Sequence, residues 1–166
     1  GIGAIAGYAF RGGEVIAVDL FDDKLATAKI AGATHTINSR TENVHERLLE
    51  LTMGHGPDVI IEAVGNPGTY KMAVDEISFT GVVVYIGYAS EPVSYETKYF
   101  VMKEIDIRGS RGSDIQDFED VLSFVKSGKI DPEQIISHTF NFDKADYAIH
   151  LWAKYPSHVT KIIINM

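Results

Sequence analysis

Cysteine is absent from all 166 residues of the chain. Its absence excludes disulfides and thiolate metal sites within the chain and fits a reducing compartment. A basic excess is missing too: 15 Lys and Arg stand against 23 Asp and Glu, for a net charge of −8 without any basic cluster. Neither a nucleic-acid backbone nor an anionic membrane surface is therefore an expected partner. No apolar run reaches membrane-spanning length, and the apolar opening lacks a cationic leader and an A-x-A site. The expectation is a soluble, cytoplasmic protein. Catalytic signatures are missing as well. No His-Glu-x-x-His, Cys/His cluster or Gly-x-Ser-x-Gly occurs, and the six histidines are scattered, with His35, His45 and His55 ten apart. His138, His150 and His158 lie in the trailing segment. Neither a complete metal site nor a catalytic residue is expected in this chain.

What is present is an alternation of short apolar runs with helical patterns. Glu14 to Leu20 (EVIAVDL), Asp58 to Val64 (DVIIEAV) and Gly81 to Gly87 (GVVVYIG) are nearly continuous in hydrophobicity, which predicts parallel strands buried on both faces. Thr34 to Ile37 and Ile105 to Ser110 read as shorter or peripheral strands. Asp22 is placed to cap a helix through Ala31 that stops at Gly32. Asn66-Pro67 suits a cap and first position, followed by the stripe Tyr70, Ala73, Val74 and Ile77. Ser113-x-x-Gln116 forms a capping box before a helix ending at Gly128. Strands and helices taking turns in this way predict an α/β fold with a doubly wound parallel sheet. From about residue 135 the rhythm changes. IISHTFNF and VTKIIIN flank a helix from about Asp143 to Lys154, and the interruptions at Thr139 and Asn141 predict an antiparallel pair with one wet face.

Candidate ligand positions gather at the ends of these strands, where open α/β sheets bind ligands. Asp19 closes its strand 16 residues after Gly3 and 18 after Gly1, a spacing that suits a Gly-rich phosphate turn followed by a ribose-binding acid. Its carboxylate can accept hydrogen bonds from both ribose hydroxyls; the alternative is a helix-capping role. Leu20 follows it, and Lys24 lies five residues on, as either a flank of the adenosine or an exposed helical lysine. Ala63, Val64 and Gly65 follow one strand, Ile86, Gly87 and Tyr88 another, and Gly109, Ser110 and Arg111 a third. Gly87 and Gly109 are either turn glycines or places where a flat ring approaches the backbone.

The stretches EVIAVDLFDDKLATAKIAGATHTIN, GPDVIIEAVGNPGTYKMAVD and GVVVYIGYASEPVSYETKYFVMKEIDIRGSR resemble, in order and spacing, the C-terminal half of zinc-containing medium-chain alcohol and polyol dehydrogenases. The likeness extends through SGKIDPEQIISHTFNFDKADYAIHLW and TKIIIN. It implies a Rossmann domain that binds NAD, and a catalytic zinc held in an N-terminal half. By the same resemblance, Asp19 is the adenosine-ribose acid and Lys24 the basic residue beside it. Ile86, Gly87 and Tyr88 match the strand end near the nicotinamide, and Ser110 and Arg111 face its carboxamide. Gly1, Ile2 and Gly3 fall in the phosphate fingerprint, with Ile2-Gly3 fitting its last two positions.

The resemblance further implies a chain that lacks the first, central strand of a 3-2-1-4-5-6 sheet and is a fragment of a larger dehydrogenase. On this basis, 1–134 is the coenzyme domain and 135–166 a return segment to a catalytic domain. The implied substrate is an alcohol, with YASEPVSYETKYFVMKE most like polyol and sugar-acid dehydrogenases. Subunit pairing at the strand Ile105 to Ser110 implies a homodimer or homotetramer. Two other classes remain open: an S-adenosylmethionine methyltransferase, and a non-enzymatic nucleotide-binding module.

Overall fold

In the computed structural model, which describes residues 1–128 and 131–166, strands and helices alternate along the chain. The order is α1 (Ile2–Phe10), β1 (Ile16–Asp19), α2 (Asp22–Ile30), β2 (His35–Asn38), α3 (Val44–Leu51), β3 (Val59–Glu62) and α4 (Pro67–Glu76). It continues with β4 (Val82–Tyr85), α5 (Lys98–Met102), β5 (Asp106–Gly109), α6 (Ile115–Lys126), β6 (His138–Asn141), α7 (Ala145–Lys154) and β7 (Ile162–Asn165). Among the described residues the strands form three parallel sheets, β1-β2, β3-β4-β5 and β6-β7. Parallel neighbours cannot be joined by a tight turn, so each pair is connected by a crossover that contains a helix. Two compact units result: one holds 43–114 together with Gly1, and the other holds Ile2–Glu42 and Ile115–Met166.

In the 43–114 unit, Val59 pairs with Val82, and Val82 in turn with Asp106. Ala73, Ile77 and Val83 form its core, with Ile60, Tyr85 and Ile105 packed against them. Helix α4 forms as its sequence predicts. Asn66 Oδ1 accepts from the Gly68 amide at 2.8 Å, Pro67 fills the first position, and Ala73, Val74 and Ile77 are buried. At the other end of α4, Lys103 Nζ donates to the carbonyls of Val74, Asp75 and Ile77 at 3.3, 2.7 and 2.9 Å. Partial burial pulls this lysine below its usual pKa, and Glu76 and Asp75 oppose that shift. In the other unit, Ala17, Ala28 and Ala33 let α2 lie close on β1, with Ile2, Ile5 and Val15 around them.

Several expectations are corrected. Strands β6 and β7 pair in parallel, His138 with Ile162 through Asn141 with Asn165, and are not antiparallel. The reason is α7, which carries the chain back to the end where β6 began. The predicted alternation between covered and exposed residues is present in both strands. Asp22 is not a helix cap: α2 starts at Asp22 itself, Phe21 precedes it without a side-chain cap bond, and Asp22 Oδ1 accepts from Asn38 Nδ2 at 2.6 Å. Helices α3 and α5 fall where no helix was expected. Helix α3 has a clear start, with Asn43 Oδ1 accepting from the Glu46 amide. Burial on both faces is incomplete, reaching Ala17 of β1, Glu62 of β3 and Val83 of β4, while all of β5 is exposed. The apolar residues Ile115, Phe118, Val121 and Leu122 of α6 are exposed as well.

Candidate functional site

Strand β1 ends on a carboxylate that shapes the turn after it. Asp19 Oδ1 accepts from the amides of Leu20 at 2.7 Å and Phe21 at 3.1 Å, so Asp19, and not Asp22, meets the free amides ahead of α2. The Ser39 amide donates to the Asp19 carbonyl at 3.0 Å, which joins this turn to the end of β2. Arg40, on the same side, places its guanidinium 4.5 Å from the Phe21 ring. Leu20 is exposed. Lys24 is not a free solvated lysine: it is half-buried, and its ammonium donates to the Val159 carbonyl. Burial lowers its pKa, while Asp19 and Asp23 pull the other way. Gly1 precedes α1, and Ile2 and Gly3 lie in its first turn. A Cβ at Gly1 or Gly3 would meet nothing within 4 Å.

In the 43–114 unit the ends of β3, β4 and β5 bring most of the other predicted residues together. The Ile86 and Gly87 amides donate to the Glu62 carbonyl at 2.9 and 3.1 Å, and the Ser110 amide donates to the Tyr85 carbonyl at 3.0 Å. Gly65 has φ +80°, and a Cβ there would sit 2.3 Å from the Tyr88 carbonyl oxygen. A Cβ on Gly87 would sit 2.4 Å from the Gly65 nitrogen. These two glycines are therefore required by the close approach of two backbone turns. Gly109 has open space around it. Ala63 is half-buried, whereas Val64, Ile86, Tyr88, Ser110 and Arg111 are exposed. The Arg111 guanidinium lies 5.8 Å from the Tyr88 ring.

Polar side chains that the sequence reading did not single out lie behind this surface. Glu62 is 4% exposed, and its Oε1 accepts from the Val64 and Gly65 amides and the Thr69 hydroxyl at 2.9, 2.9 and 2.7 Å. Tyr70 donates its hydroxyl to the Gly87 carbonyl and stacks on Tyr85 at 4.0 Å. Tyr85 donates to the Tyr70 carbonyl at 3.0 Å and receives the Tyr95 hydroxyl at 3.2 Å. Burial, then the Tyr95 hydrogen bond, pushes the Tyr85 phenol far above the ordinary tyrosine range. The one available signal was a lone acid inside the apolar run VIIEAV. Among the described residues, no three His, Asp or Glu side chains are grouped to hold a metal ion. No helix among them is long and apolar enough to cross a membrane.

Residues 1–127 match the model of the zinc-binding dehydrogenase family. The chain belongs to that family. A D-xylulose reductase of Scheffersomyces stipitis is 36% identical over 146 residues, covering 82% of this chain and 40% of that protein. Sorbitol dehydrogenase 1 of Saccharomyces cerevisiae is 30% identical over 168 residues, covering 98% of this chain and 47% of that protein. Among solved structures, a short chain alcohol dehydrogenase of Escherichia coli CFT073, complexed with the cofactor NADH, matches with a TM-score of 0.89 at 29% identity. That match covers 99% of this chain and 49% of the other. The chain thus spans less than half the length of these relatives, and its parallel α/β architecture is the Rossmann-like one they share. The methyltransferase alternative is not favoured by these matches.

Proposed function

We propose that this chain is the coenzyme-binding portion of an NAD- and zinc-dependent dehydrogenase that oxidises an alcohol, polyol or sugar acid. The observation that carries the proposal is Asp19: a carboxylate at the end of β1, held by its own turn through Oδ1, in a chain of the zinc-binding dehydrogenase family. Because both turn amides use Oδ1, Oδ2 is available for the adenosine ribose hydroxyls. Lys24 and the exposed Leu20 flank that position. Gly1, Ile2 and Gly3 are assigned to the pyrophosphate, whose charge suits a helix N-terminus. Ala63, Val64, Gly65, Ile86, Gly87, Tyr88, Gly109, Ser110 and Arg111 are assigned to the nicotinamide end. Bound NAD supplies a nicotinamide that accepts a hydride from the substrate carbon. The chain's own residues bind and orient that ring. They do not fit zinc, since the chain has no cysteine and no suitable donor group among the described residues. Zinc is therefore assigned to a catalytic domain outside 1–166.

We assign 1–134 to the coenzyme domain and 135–166 to a return segment of the catalytic domain. The complete enzyme is proposed to be cytoplasmic and to pair through the exposed edge at β5, as a homodimer or homotetramer. The relatives named for xylulose and sorbitol favour a polyol substrate. Steady-state assays of the full-length enzyme with sorbitol, xylitol, a sugar acid and ethanol, each with NAD and NADP, test the proposal. NAD-linked polyol oxidation is the expected result. Failure with every alcohol, or activity with NADP alone, overturns it.

A further inference from the structure

We propose that Glu62 is a positioning residue for the nicotinamide end of the coenzyme site, its buried carboxylate locking the turn after β3 against the turn after β4. The inference rests on the assignment of Ile86, Gly87 and Tyr88 to that end. Burying a carboxylate is costly unless donors surround it. Here Glu62 has three donors on Oε1 (the Val64 and Gly65 amides and the Thr69 hydroxyl), and Gly65 lies 3.2 Å from Oε2 as well. All of them belong to the segment that leads into α4 or to its first turn. The backbone of the same residue accepts from Ile86 and Gly87, the two amides that begin the neighbouring turn. Glu62 therefore fixes one turn with its side chain and the other with its carbonyl.

The fit between the turns is tight. A Cβ on Gly87 would lie 2.7 Å from Glu62 Oε2, so the carboxylate defines the floor on which the Gly87 backbone rests. Tyr70 closes the arrangement by donating to the Gly87 carbonyl. The peptide at Gly87 is thus held at both its amide and its carbonyl, and side chains for ligand contact, Val64, Ile86 and Tyr88, project outward around it. A carboxylate does this better than an amide. It is an acceptor only, and its bonds to N–H and O–H groups are charge-assisted. Gln would retain Oε1 but would turn an NH2 group toward the Gly65 amide.

The test compares ligands that report on different ends of the site. In the full-length enzyme, the dissociation constants of NADH and of AMP are measured for wild type, Glu62→Gln, Thr69→Val and Thr69→Ser. Glu62→Gln should weaken NADH by about tenfold and leave AMP within about twofold, because AMP reports only the adenosine end at Asp19. Thr69→Val, which removes one of the three donors, should weaken NADH by about threefold, and Thr69→Ser should restore it. Wild-type affinity for both ligands in a folded Glu62→Gln variant overturns the proposal, and so does an equal loss of both, the mark of a general stability defect. If Glu62→Gln does not fold, the Thr69 pair decides: no difference between Val and Ser overturns it. Wild-type enzyme that binds neither ligand overturns the NAD assignment itself.

Discussion

At Asp19 one oxygen is committed to the Leu20 and Phe21 amides, so the residue serves its own turn whether or not a ligand is bound. This separates two effects that a single substitution would merge. Asp19→Ala removes both the turn bonds and the proposed acceptor for ribose, and should raise the Michaelis constant for NAD by about tenfold to a hundredfold in the full-length enzyme. Asp19→Asn keeps an oxygen for the turn and removes the charge that repels a 2′-phosphate. It should narrow the gap between NAD and NADP with less loss of stability. Steady-state kinetics with both cofactors, alongside thermal melts, checks the pair. Unchanged NAD kinetics in Asp19→Ala would reduce the residue to its turn. Gly65 tests the close approach of the turns after β3 and β4. Its φ of +80° and the 2.3 Å from a Cβ to the Tyr88 carbonyl oxygen leave no room for alanine. Gly65→Ala should cost at least about 2 kcal/mol, visible in denaturant unfolding.

Helix α4 shows how an element is bounded from two sources. Its start is local: Asn66 and Pro67 supply the cap and the first turn, and both are legible as neighbours in the sequence. Its end depends on Lys103, which lies 26 to 29 residues from the carbonyls it meets. Lys103→Met keeps most of the apolar stem and removes the donors. It should destabilise the protein by about 1 to 3 kcal/mol, measured by chemical denaturation. Asn66→Ala, a loss of the cap alone, should cost about 1 kcal/mol in the same assay. A Lys103→Met variant as stable as wild type would show that water satisfies those carbonyls equally well.

For the whole molecule, the chemistry divides between what this chain contains and what its relatives contain. It spans 40% and 47% of two curated dehydrogenase relatives, and it has no cysteine. The 166-residue chain prepared by itself should take up no stoichiometric zinc and oxidise no alcohol. Elemental analysis and an alcohol-dependent NADH assay check this, and tight zinc with turnover would refute it. The exposed apolar residues of α6 and the exposed edge strand β5 make self-association of that preparation the expected behaviour in sedimentation.

The order of strands and helices was determined by the sequence, because periodicity, caps and glycine stops act between residues a few positions apart. The strand-end position of Asp19, the cap at Asn66-Pro67 and the stripe along α4 were legible for that reason. The start of helix α3 is encoded locally as well, in Asn43 and Glu46, but the helix is only eight residues long and its apolar face correspondingly short. Tertiary structure alone decided the rest. Only the crossover through α7 makes β6 and β7 parallel, since alternating burial is the same for either strand direction. Lys24 reads as either a flank of the adenosine or an exposed helical lysine, and its bond to the Val159 carbonyl, 135 residues away, comes only with the fold. Glu62 reads as an irregularity in an apolar strand until the turn after β4 closes on it, with the Ile86 and Gly87 amides on its carbonyl and Gly87 against its Oε2. A sequence pattern encodes where a side chain can point, whereas the groups it meets are fixed only when distant turns are brought within hydrogen-bond reach.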